Sequence, residues 1–226
     1  MDYSAYQQEV FDTALNLVKI DLIRLSSGNI SMRLPDGNIA ITPSAILYSD
    51  MNPEDVVIVD INGNQIEGNY SPSSEKSLHL ELYRTRDDIH GVVHTHSIYA
   101  IAFSAVNMEL PLVCVELISV GGPIPVAEYT CPGTPRVGEI ASKFFKIRPR
   151  LKGLLLKNHG LVTVGNNLQE AYQNACNLET GAEIYHLALQ TGRIPDHLTD
   201  DQVEEILSTY QHHQDKKLNT LNKGEI

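Results

Sequence analysis

Two histidines one residue apart end an apolar run in the segment GVVHTHS, residues 91–97. Successive side chains of a β-strand point to opposite faces, so His94 and His96 project from one face while Thr95 points away. Zinc prefers imidazole nitrogen, and a catalytic zinc usually keeps three protein ligands and one open position. The pair therefore predicts two ligands of a divalent metal site that needs a further donor from elsewhere in the chain.

Two further donors occur at predicted element ends: His159 in KNHG and Glu75 in PSSE. Three histidines with a nearby carboxylate favour zinc, or a similar ion such as Mn²⁺ or Co²⁺. Taken alone, His159 is equally explained as a turn residue. Glu75 is either a first-turn acid that complements a helix dipole or a fourth, exchangeable ligand that acts as a general base. Spacing along the sequence leaves both interpretations open.

Small polar residues at three turns and helix starts form a candidate anion site. Hydroxyl and amide groups supply hydrogen-bond donors without bulk, and a helix N-terminus adds a favourable field for phosphate. The same residues also suit turn formation and helix capping. The candidates are Gly28 and Asn29 in SSGN, Thr42 and Ser44 in TPSA, and Ser73 and Ser74 in PSSE.

Hydrophobic periodicity predicts the elements that position these residues. Apolar residues at helical spacing indicate a first helix from Tyr6 to near Arg24. Two hairpins follow, with turns in LPDGN and INGNQ. The serines of PSSE precede a second helix, and the strand that carries His94 and His96 comes next.

The second half of the chain alternates helices and strands. We expect a helix in SIYAIAFSAVNM, a strand over Leu110–Leu117, a short strand in IPVAEY and a helix over Thr134–Phe145. LKGLLLKNHGLVTVG predicts two strands hinged at NHG. A long helix covers Asn167–Gln190, Thr199 caps a last helix, and the polar tail from about residue 214 is expected to be mobile. The hairpins favour an α/β fold with a mixed, largely antiparallel sheet.

Composition limits the class of protein. The chain has 226 residues, of which 42% are hydrophobic, and this suits one domain spanning 1–226. A net charge of -11 argues against nucleic acid or an anionic membrane as the main partner. Three scattered cysteines, no signal-peptide pattern and no run of about 18 apolar residues indicate a cytoplasmic protein.

The motifs SSGNIS, TPS, PSSE, VVHTHS, VAEYTCPGT and NHG occur in this order. As an ordered set they resemble the class II aldolase/adducin family, and most closely its L-fuculose-phosphate aldolase-like members. The resemblance runs from about Gln7 to near His213. It implies a three-layer αβα fold around a central mixed, largely antiparallel sheet, assembled as a homotetramer with active sites at subunit boundaries.

The resemblance also implies roles for individual residues. His94, His96 and His159 would bind zinc, and Glu75 would ligate the resting metal and then move away to act as acid and base. The reaction would be reversible cleavage of a ketose 1-phosphate, a small phosphorylated sugar, to dihydroxyacetone phosphate and an aldehyde through a metal-stabilised enediolate. The residues implied to hold the substrate phosphate, in addition to the Gly28 turn, are Asn29, Ser44, Ala45 through its backbone, Ser73 and Ser74.

Two departures from the family pattern concern substrate choice. Val115 stands where fuculose-phosphate aldolases place a tyrosine that protonates the departing aldehyde oxygen. Ala45 replaces a glycine, which keeps the backbone amide but restricts the turn. Candidate replacements for the proton donor are Glu116, Tyr129 and the C-terminal residues Tyr210, His212 and His213; Glu116 is equally explained as an edge-strand acid.

The resemblance leaves several activities open that use the same set of metal ligands. The favoured interpretation is an aldolase acting on a fuculose-, deoxypentulose- or methylthioribulose-type ketose 1-phosphate. Related epimerases carry aspartate in an SSD motif, so the SSE sequence ending at Glu75 counts against a pentulose-phosphate epimerase. Decarboxylation of a 3-oxo sugar-acid phosphate and dehydration of methylthioribulose 1-phosphate stay open. A non-catalytic scaffold of the adducin type is disfavoured because all three histidines and Glu75 are present.

Overall fold

A sheet of eight strands forms the centre of the computed structural model, which describes residues 1–210. The strands are β1 (Asn29–Arg33), β2 (Ile39–Ile41), β3 (Val57–Val59), β4 (Gln65–Glu67), β5 (Gly91–Thr95), β6 (Val126–Ala127), β7 (Gly153–Leu156) and β8 (Gly160–Gly165). Their order is β4-β3-β2-β1-β5-β8-β7-β6. Only β6 and β7 pair in parallel in the described part of the chain. The mixed, largely antiparallel sheet is as expected.

Helices cover both faces of this sheet. They are α1 (Ser4–Lys19), α2 (Lys76–Thr85), α3 (Ile98–Ala105), α4 (Pro135–Ile147), α5 (Leu168–Gln190) and α6 (200–210). One apolar core lies between the sheet and α1 with the first half of α5, and the other lies between the sheet and α2 with α4. The three-layer αβα prediction is therefore confirmed. Within residues 1–210, no helix has both the length and the hydropathy needed to cross a bilayer.

The central strand β5 is buried on both faces. Val92 packs into the core with α2 and α4, and Val93 packs into the core with α1 and α5. This double burial explains why the sequence before the histidines is continuously apolar. His94 shares its face with Val92, because side chains alternate along a strand, so the first histidine lies on the side of α2.

The first helix ends earlier than its apolar periodicity indicates. It spans Ser4–Lys19 and does not reach Arg24. The backbone enters the left-handed region at Asp21, with φ of 64°, and again at Leu25, with φ of 58°. A residue in this conformation cannot continue a right-handed helix, so apolar spacing alone misplaced the end.

The expected strand over Leu110–Leu117 is wrong. Leu110 makes a single antiparallel bridge with Ile124, and Val115–Val120 forms a 3₁₀ helix. Pro111 has no backbone N–H, so the ladder cannot extend past Leu110. The apolar run instead fills the core as irregular chain and a helical turn.

The remaining elements follow the predictions closely. The LPDGN and INGNQ turns connect antiparallel strands, and the NHG hinge joins β7 to β8. Asn167 caps α5 by accepting a hydrogen bond from the backbone N–H of Glu170 at 2.8 Å. Thr199 caps α6 in the same way through Gln202. The expected mobile tail from about 214 lies outside the described residues.

A buried carboxylate ties the start of α3 to α5. Glu179 accepts hydrogen bonds from the backbone N–H groups of Tyr99 and Ala100, each at 2.9 Å. Burial raises the pKa of Glu179, and the two donors oppose that increase. The first turn of a helix has N–H groups without intrahelical partners, and here the carboxylate satisfies two of them. Because α3 begins two residues after His96, this contact also fixes the end of the histidine-bearing segment.

We predict that Glu179→Ala lowers the free energy of unfolding by about 3 kcal/mol, because two charge-assisted hydrogen bonds are lost and two helix amides lose their acceptor. Urea unfolding followed by circular dichroism measures this change. The control is Glu9→Ala, which removes an exposed helical carboxylate and should change stability by at most about 0.5 kcal/mol. A loss no larger than that of the control contradicts the anchoring role.

Candidate metal centre

Three imidazole rings meet at one end of the β5 and β8 pair. His94 is the fourth residue of β5, His96 follows the strand, and His159 lies in the turn that leads into β8. The ring centroids of His94 and His96 are 5.1 Å apart, those of His94 and His159 are 4.7 Å apart, and those of His96 and His159 are 5.2 Å apart. The structure thus brings the three predicted histidines together.

Gly160 allows the close approach of β8 to the histidine strand. A Cβ atom at this position would lie 2.3 Å from the carbonyl oxygen of Thr95 and 3.0 Å from Cε1 of His94. The 2.3 Å contact with backbone is too short to exist, so a side chain would push the two strands apart. Asn158 begins the same turn with a left-handed φ of 56°, a conformation that asparagine tolerates better than most residues. The NHG sequence therefore directs His159 toward the other rings.

Glu75 completes the cluster from the start of α2. Its Oε2 lies 3.1 Å from Nε2 of His94, and its Oε1 lies 3.2 Å from Nε2 of His159. One donor atom from each of these residues and from His96 lies within 4.8 Å of all the others. Three nitrogens and a carboxylate oxygen form a donor set typical of zinc and related divalent ions.

The tautomer of His94 is fixed by its surroundings. Nδ1 lies 2.8 Å from the carbonyl oxygen of Leu161, which can only accept, so Nδ1 carries the proton of the neutral ring and Nε2 presents a lone pair to the centre of the cluster. A metal-binding histidine usually donates its second ring N–H to a carbonyl or carboxylate oxygen in this way, which fixes the orientation of the ring.

The centre of the cluster contains buried polar atoms with unfulfilled bonding capacity. In the described part of the chain, three atoms of the cluster are buried without a hydrogen-bond partner: Oε1 of Glu75, Nε2 of His94 and Nε2 of His96. Nε2 of His94 lies 3.1 Å from the other carboxylate oxygen of Glu75, Oε2. Such atoms are costly to bury unless a cation satisfies them. A divalent ion among these atoms meets that requirement, so the residues present fit a metal.

The charge balance of the cluster agrees with a cation. Burial alone would raise the pKa of Glu75, but the adjacent imidazoles of His94 and His159 outweigh burial and hold that pKa well below its usual range. Burial lowers the pKa of His96 to about 4, and repulsion from the other two rings adds to this effect. The carboxylate thus stays ionised, while His96 stays neutral and able to donate a lone pair.

A cavity of about 350 Å³ opens beside the metal cluster. Its walls include Glu75, His96 and His159, which places the cluster at one end. In the described part of the chain, neither lysine nor arginine lines it. All six predicted phosphate-binding residues line the same cavity: Gly28, Asn29, Ser44, Ala45, Ser73 and Ser74.

The start of α2 presents polar groups to this cavity. The hydroxyl oxygen of Ser73 accepts a hydrogen bond from the backbone N–H of Glu75 at 3.2 Å, which leaves the hydroxyl proton available to a ligand. The positive end of the helix dipole adds a field that favours an anion. Thr42 is buried behind the cavity, where its hydroxyl accepts from the backbone N–H of Ile30 at 3.2 Å. Thr42 therefore supports the turn, whereas Ser44, two residues later, lines the cavity.

Two turns around the cavity have left-handed backbone. Gly28 has a φ of 75°, and a Cβ there would lie 2.7 Å from the carbonyl oxygen of His94. Ala45 adopts a φ of 61° despite its Cβ, so this chain keeps a glycine-like turn at some cost in strain. The backbone path that the resemblance implies is therefore retained.

Five cavity residues were not among the predicted site residues, and one of them, Pro43, lies between the predicted Thr42 and Ser44. The Pro-Gly turn in TCPGT was a usable signal for two of them, because such a dipeptide marks a tight turn that can approach another loop. The serines before Gly28 gave no signal beyond their polarity. The other four residues are Ser26, Ser27, Pro132 and Gly133.

The candidate proton donors lie apart from this cavity within one chain. Glu116 is half-buried in the 3₁₀ helix, and Tyr129 is 61% exposed. In residues 1–210 of a single chain, neither is part of the cavity lining. Val115 lines a second cavity with Tyr210 of α6. The roles of Glu116 and Tyr129 stay predictions, and the alternatives His212 and His213 lie outside the described residues.

Comparisons with known proteins agree with this site. The family described as Class II Aldolase and Adducin N-terminal domain matches residues 8–186. The 5-deoxy-D-ribulose 1-phosphate aldolase of Bacillus thuringiensis serovar kurstaki is 34% identical over 206 residues, or 91% of this chain and 95% of the relative. The L-fuculose phosphate aldolase of Methanococcus maripaludis is 40% identical over 163 residues, or 72% of this chain and 86% of the relative.

The fold comparison gives the same result. A solved structure of an L-fuculose 1-phosphate aldolase superposes with a TM-score of 0.87 at 34% identity, covering 93% of this chain and 98% of the other. The matched residues 8–186 include the whole metal cluster and every residue that lines the cavity beside it.

We predict that His94→Ala weakens the binding of a divalent metal by more than about 100-fold. Loss of a residue that only hydrogen-bonds to a metal ligand already weakens binding by up to about 100-fold, and this change removes a ligand itself. Elemental analysis and zinc titration of the purified protein measure the effect. The control is His90→Ala, which removes an exposed imidazole just before the same strand and should leave metal binding unchanged. Unchanged affinity in His94→Ala would exclude this metal centre.

Proposed function

Because the chain belongs to the class II aldolase and adducin family, we propose that it is a metal-dependent lyase that reversibly cleaves a ketose 1-phosphate into dihydroxyacetone phosphate and an aldehyde. The observation that carries this proposal is the meeting of three imidazoles and Glu75 at one end of a cavity lined by small hydrogen-bond donors. A phosphorylated ketose has the matching arrangement of a carbonyl group at a short distance from a phosphate.

In this proposal His94, His96 and His159 hold zinc, and Mn²⁺ or Co²⁺ are the alternatives. The bound ion supplies Lewis-acid stabilisation of negative charge on the substrate carbonyl and neighbouring hydroxyl oxygens. The contact between His94 and the Leu161 carbonyl keeps the ring in the orientation required for binding. Glu75 would be a fourth, exchangeable ligand of this ion in the absence of substrate.

The cavity residues orient the substrate through its phosphate. Hydroxyl groups of Ser44, Ser73 and Ser74 and the side-chain amide of Asn29 donate hydrogen bonds to the phosphate oxygens. Gly28 and the backbone of Ala45 let the two turns approach it closely. With the phosphate at this end, the carbonyl end of the ketose lies toward the histidines, which pre-organises the carbon-carbon bond for cleavage.

Glu75 is the proposed acid and base at carbon. In the cleavage direction it returns a proton to the carbon that loses its bond to the aldehyde carbon, and in the condensation direction it removes that proton. The aldehyde oxygen needs a separate group that accepts its hydroxyl proton in cleavage and donates it in condensation. Glu116 and Tyr129 are the proposed candidates, from this chain or from a neighbouring subunit, since Val115 cannot transfer a proton.

The remaining proposals concern the whole protein. We propose one domain over residues 1–226, assembled as a homotetramer with sites at subunit boundaries. The substrate is a small phosphorylated sugar, and neither nucleic acid nor a membrane is a partner. A cytoplasmic location agrees with the net charge of -11 and the scattered cysteines.

We predict that the purified, zinc-loaded protein releases dihydroxyacetone phosphate from at least one ketose 1-phosphate in a panel that contains 5-deoxyribulose and fuculose 1-phosphates. A coupled reduction of dihydroxyacetone phosphate measures the product. Carbon dioxide and the dehydrated diketone are assayed in parallel, with a 3-oxo sugar-acid phosphate and methylthioribulose 1-phosphate included as substrates. The aldolase proposal is wrong if one of these products forms while dihydroxyacetone phosphate never does.

We further predict that Glu75→Gln lowers kcat by on the order of 10² or more while the histidines still bind metal, because an amide cannot exchange the proton. Steady-state kinetics and metal analysis on the same preparation separate the two effects. Glu81→Gln, on the outer part of α2, is the isosteric control and should retain full turnover. Unchanged turnover in Glu75→Gln would assign the base to another residue.

A further inference from the structure

A continuous series of buried hydrogen bonds extends from the interior of the protein to Glu75. The hydroxyl groups of Tyr83 and Ser31 are 2.8 Å apart, and Oγ of Ser31 is 2.6 Å from Nδ1 of His79. Nε2 of His79 is 2.5 Å from Oδ1 of Asn29, whose Nδ2 donates to Oε2 of Glu75 at 2.9 Å. We call these five residues the Asn29 network.

The members behind Asn29 are shielded from solvent. Ser31 and His79 are fully buried, and Tyr83 is 1% exposed. Burial lowers the pKa of His79 to about 3, so the ring is neutral and has one donor nitrogen and one acceptor nitrogen. Ser31, His79 and Tyr83 are therefore shielded from solvent, and their polar groups must bond to one another and to Asn29.

The direction of donation follows from the chemistry at one end. An ionised Glu75 can only accept, so the group of Asn29 that faces it is the NH₂ group and the group that faces His79 is the carbonyl. Nε2 of His79 must then carry the proton, and Nδ1 must accept from the hydroxyl of Ser31. That hydroxyl in turn accepts from Tyr83. Each contact thus fixes the orientation of the next one.

Asn29 has a second role because its side chain also lines the cavity. Its NH₂ group has two hydrogens, and one of them is used by Glu75. If the amide rotated by 180°, its carbonyl oxygen would face the carboxylate, and two acceptors would repel each other. The N–H of His79 opposes this rotation because only the carbonyl of Asn29 can accept from it.

We propose that His79 is a positioning residue that locks the side-chain amide of Asn29, so that one N–H holds Glu75 against the metal cluster and the other serves the substrate phosphate. The lock itself rests on the contacts of the Asn29 network, and only its consequence for the metal and the phosphate rests on the proposed function. The side chain of His79 bonds to Ser31 and Asn29, and it acts on Glu75 through Asn29.

The main test compares His79→Leu with His79→Gln. Leucine has a similar volume and no donor, whereas the glutamine NH₂ group reaches about as far as Nε2 and can still donate to Asn29. We expect His79→Leu to weaken zinc binding by about 10-fold to 100-fold, the range for outer partners of metal ligands. His79→Gln should stay within about 3-fold of the unchanged protein. Zinc competition against a chelator measures both, without any reaction being catalysed.

A control separates positioning from general loosening of the core. Tyr83→Phe removes the far end of the Asn29 network but leaves the contact between His79 and Asn29 intact. We expect it to bind zinc within about 3-fold of the unchanged protein. Equal weakening in Tyr83→Phe and His79→Leu, or no weakening in His79→Leu, would overturn the proposal.

A second readout does not depend on metal. In the apoprotein, the side-chain NH₂ resonances of Asn29, assigned by ¹⁵N labelling and the Asn29→Ala variant, should exchange slowly with solvent. They should exchange at least about 10-fold faster in His79→Leu and recover in His79→Gln, and exchange that is the same in all three proteins excludes the lock. If zinc binding and exchange behave as expected but dihydroxyacetone phosphate never forms, the proposed function fails and the lock stands.

Discussion

The backbone pairing of β5 with β1 on one side and β8 on the other is the constraint on which the site depends. In this register Asn29 lies opposite His94, and Thr95 lies opposite Leu161. A slip of one residue would turn His94 to the opposite face of the sheet, toward α1 and α5, and would separate it from Glu75. The buried apolar side chains on both faces prevent this slip, so the same packing that stabilises the protein also sets the metal geometry.

Helices fix the parts of the site that the sheet does not reach. The first turn of α2 supplies Glu75 and the neighbouring serines, and its dipole favours both the ionised carboxylate and a bound phosphate. Glu179 of α5 holds the first turn of α3 directly after His96. The site is therefore supported from both layers of helices, and its polar groups are oriented before any ligand arrives.

Local patterns in the sequence predicted those parts of the site that depend on local geometry. Strand alternation gives the common face of His94 and His96, and the NHG turn gives the direction of His159. The Asn29 network could not be predicted, because it requires the register of β1 against a helix almost fifty residues later. The segment from Leu110 was misassigned for a related reason: its apolar composition fits a strand, but Pro111 stops the ladder. Residues that meet only through tertiary contacts carry no periodic signal.

Both edge strands of the sheet are short. β4 has three exposed residues, Gln65–Glu67, and β6 has only the two residues Val126–Ala127. Short or charged edge strands disfavour backbone pairing with a strand of another chain, and such pairing is a common route to aggregation. The surfaces left for contacts with another chain are those of helices and connecting loops. Contacts of that kind allow subunits to assemble with closed symmetry while the central strands stay unperturbed.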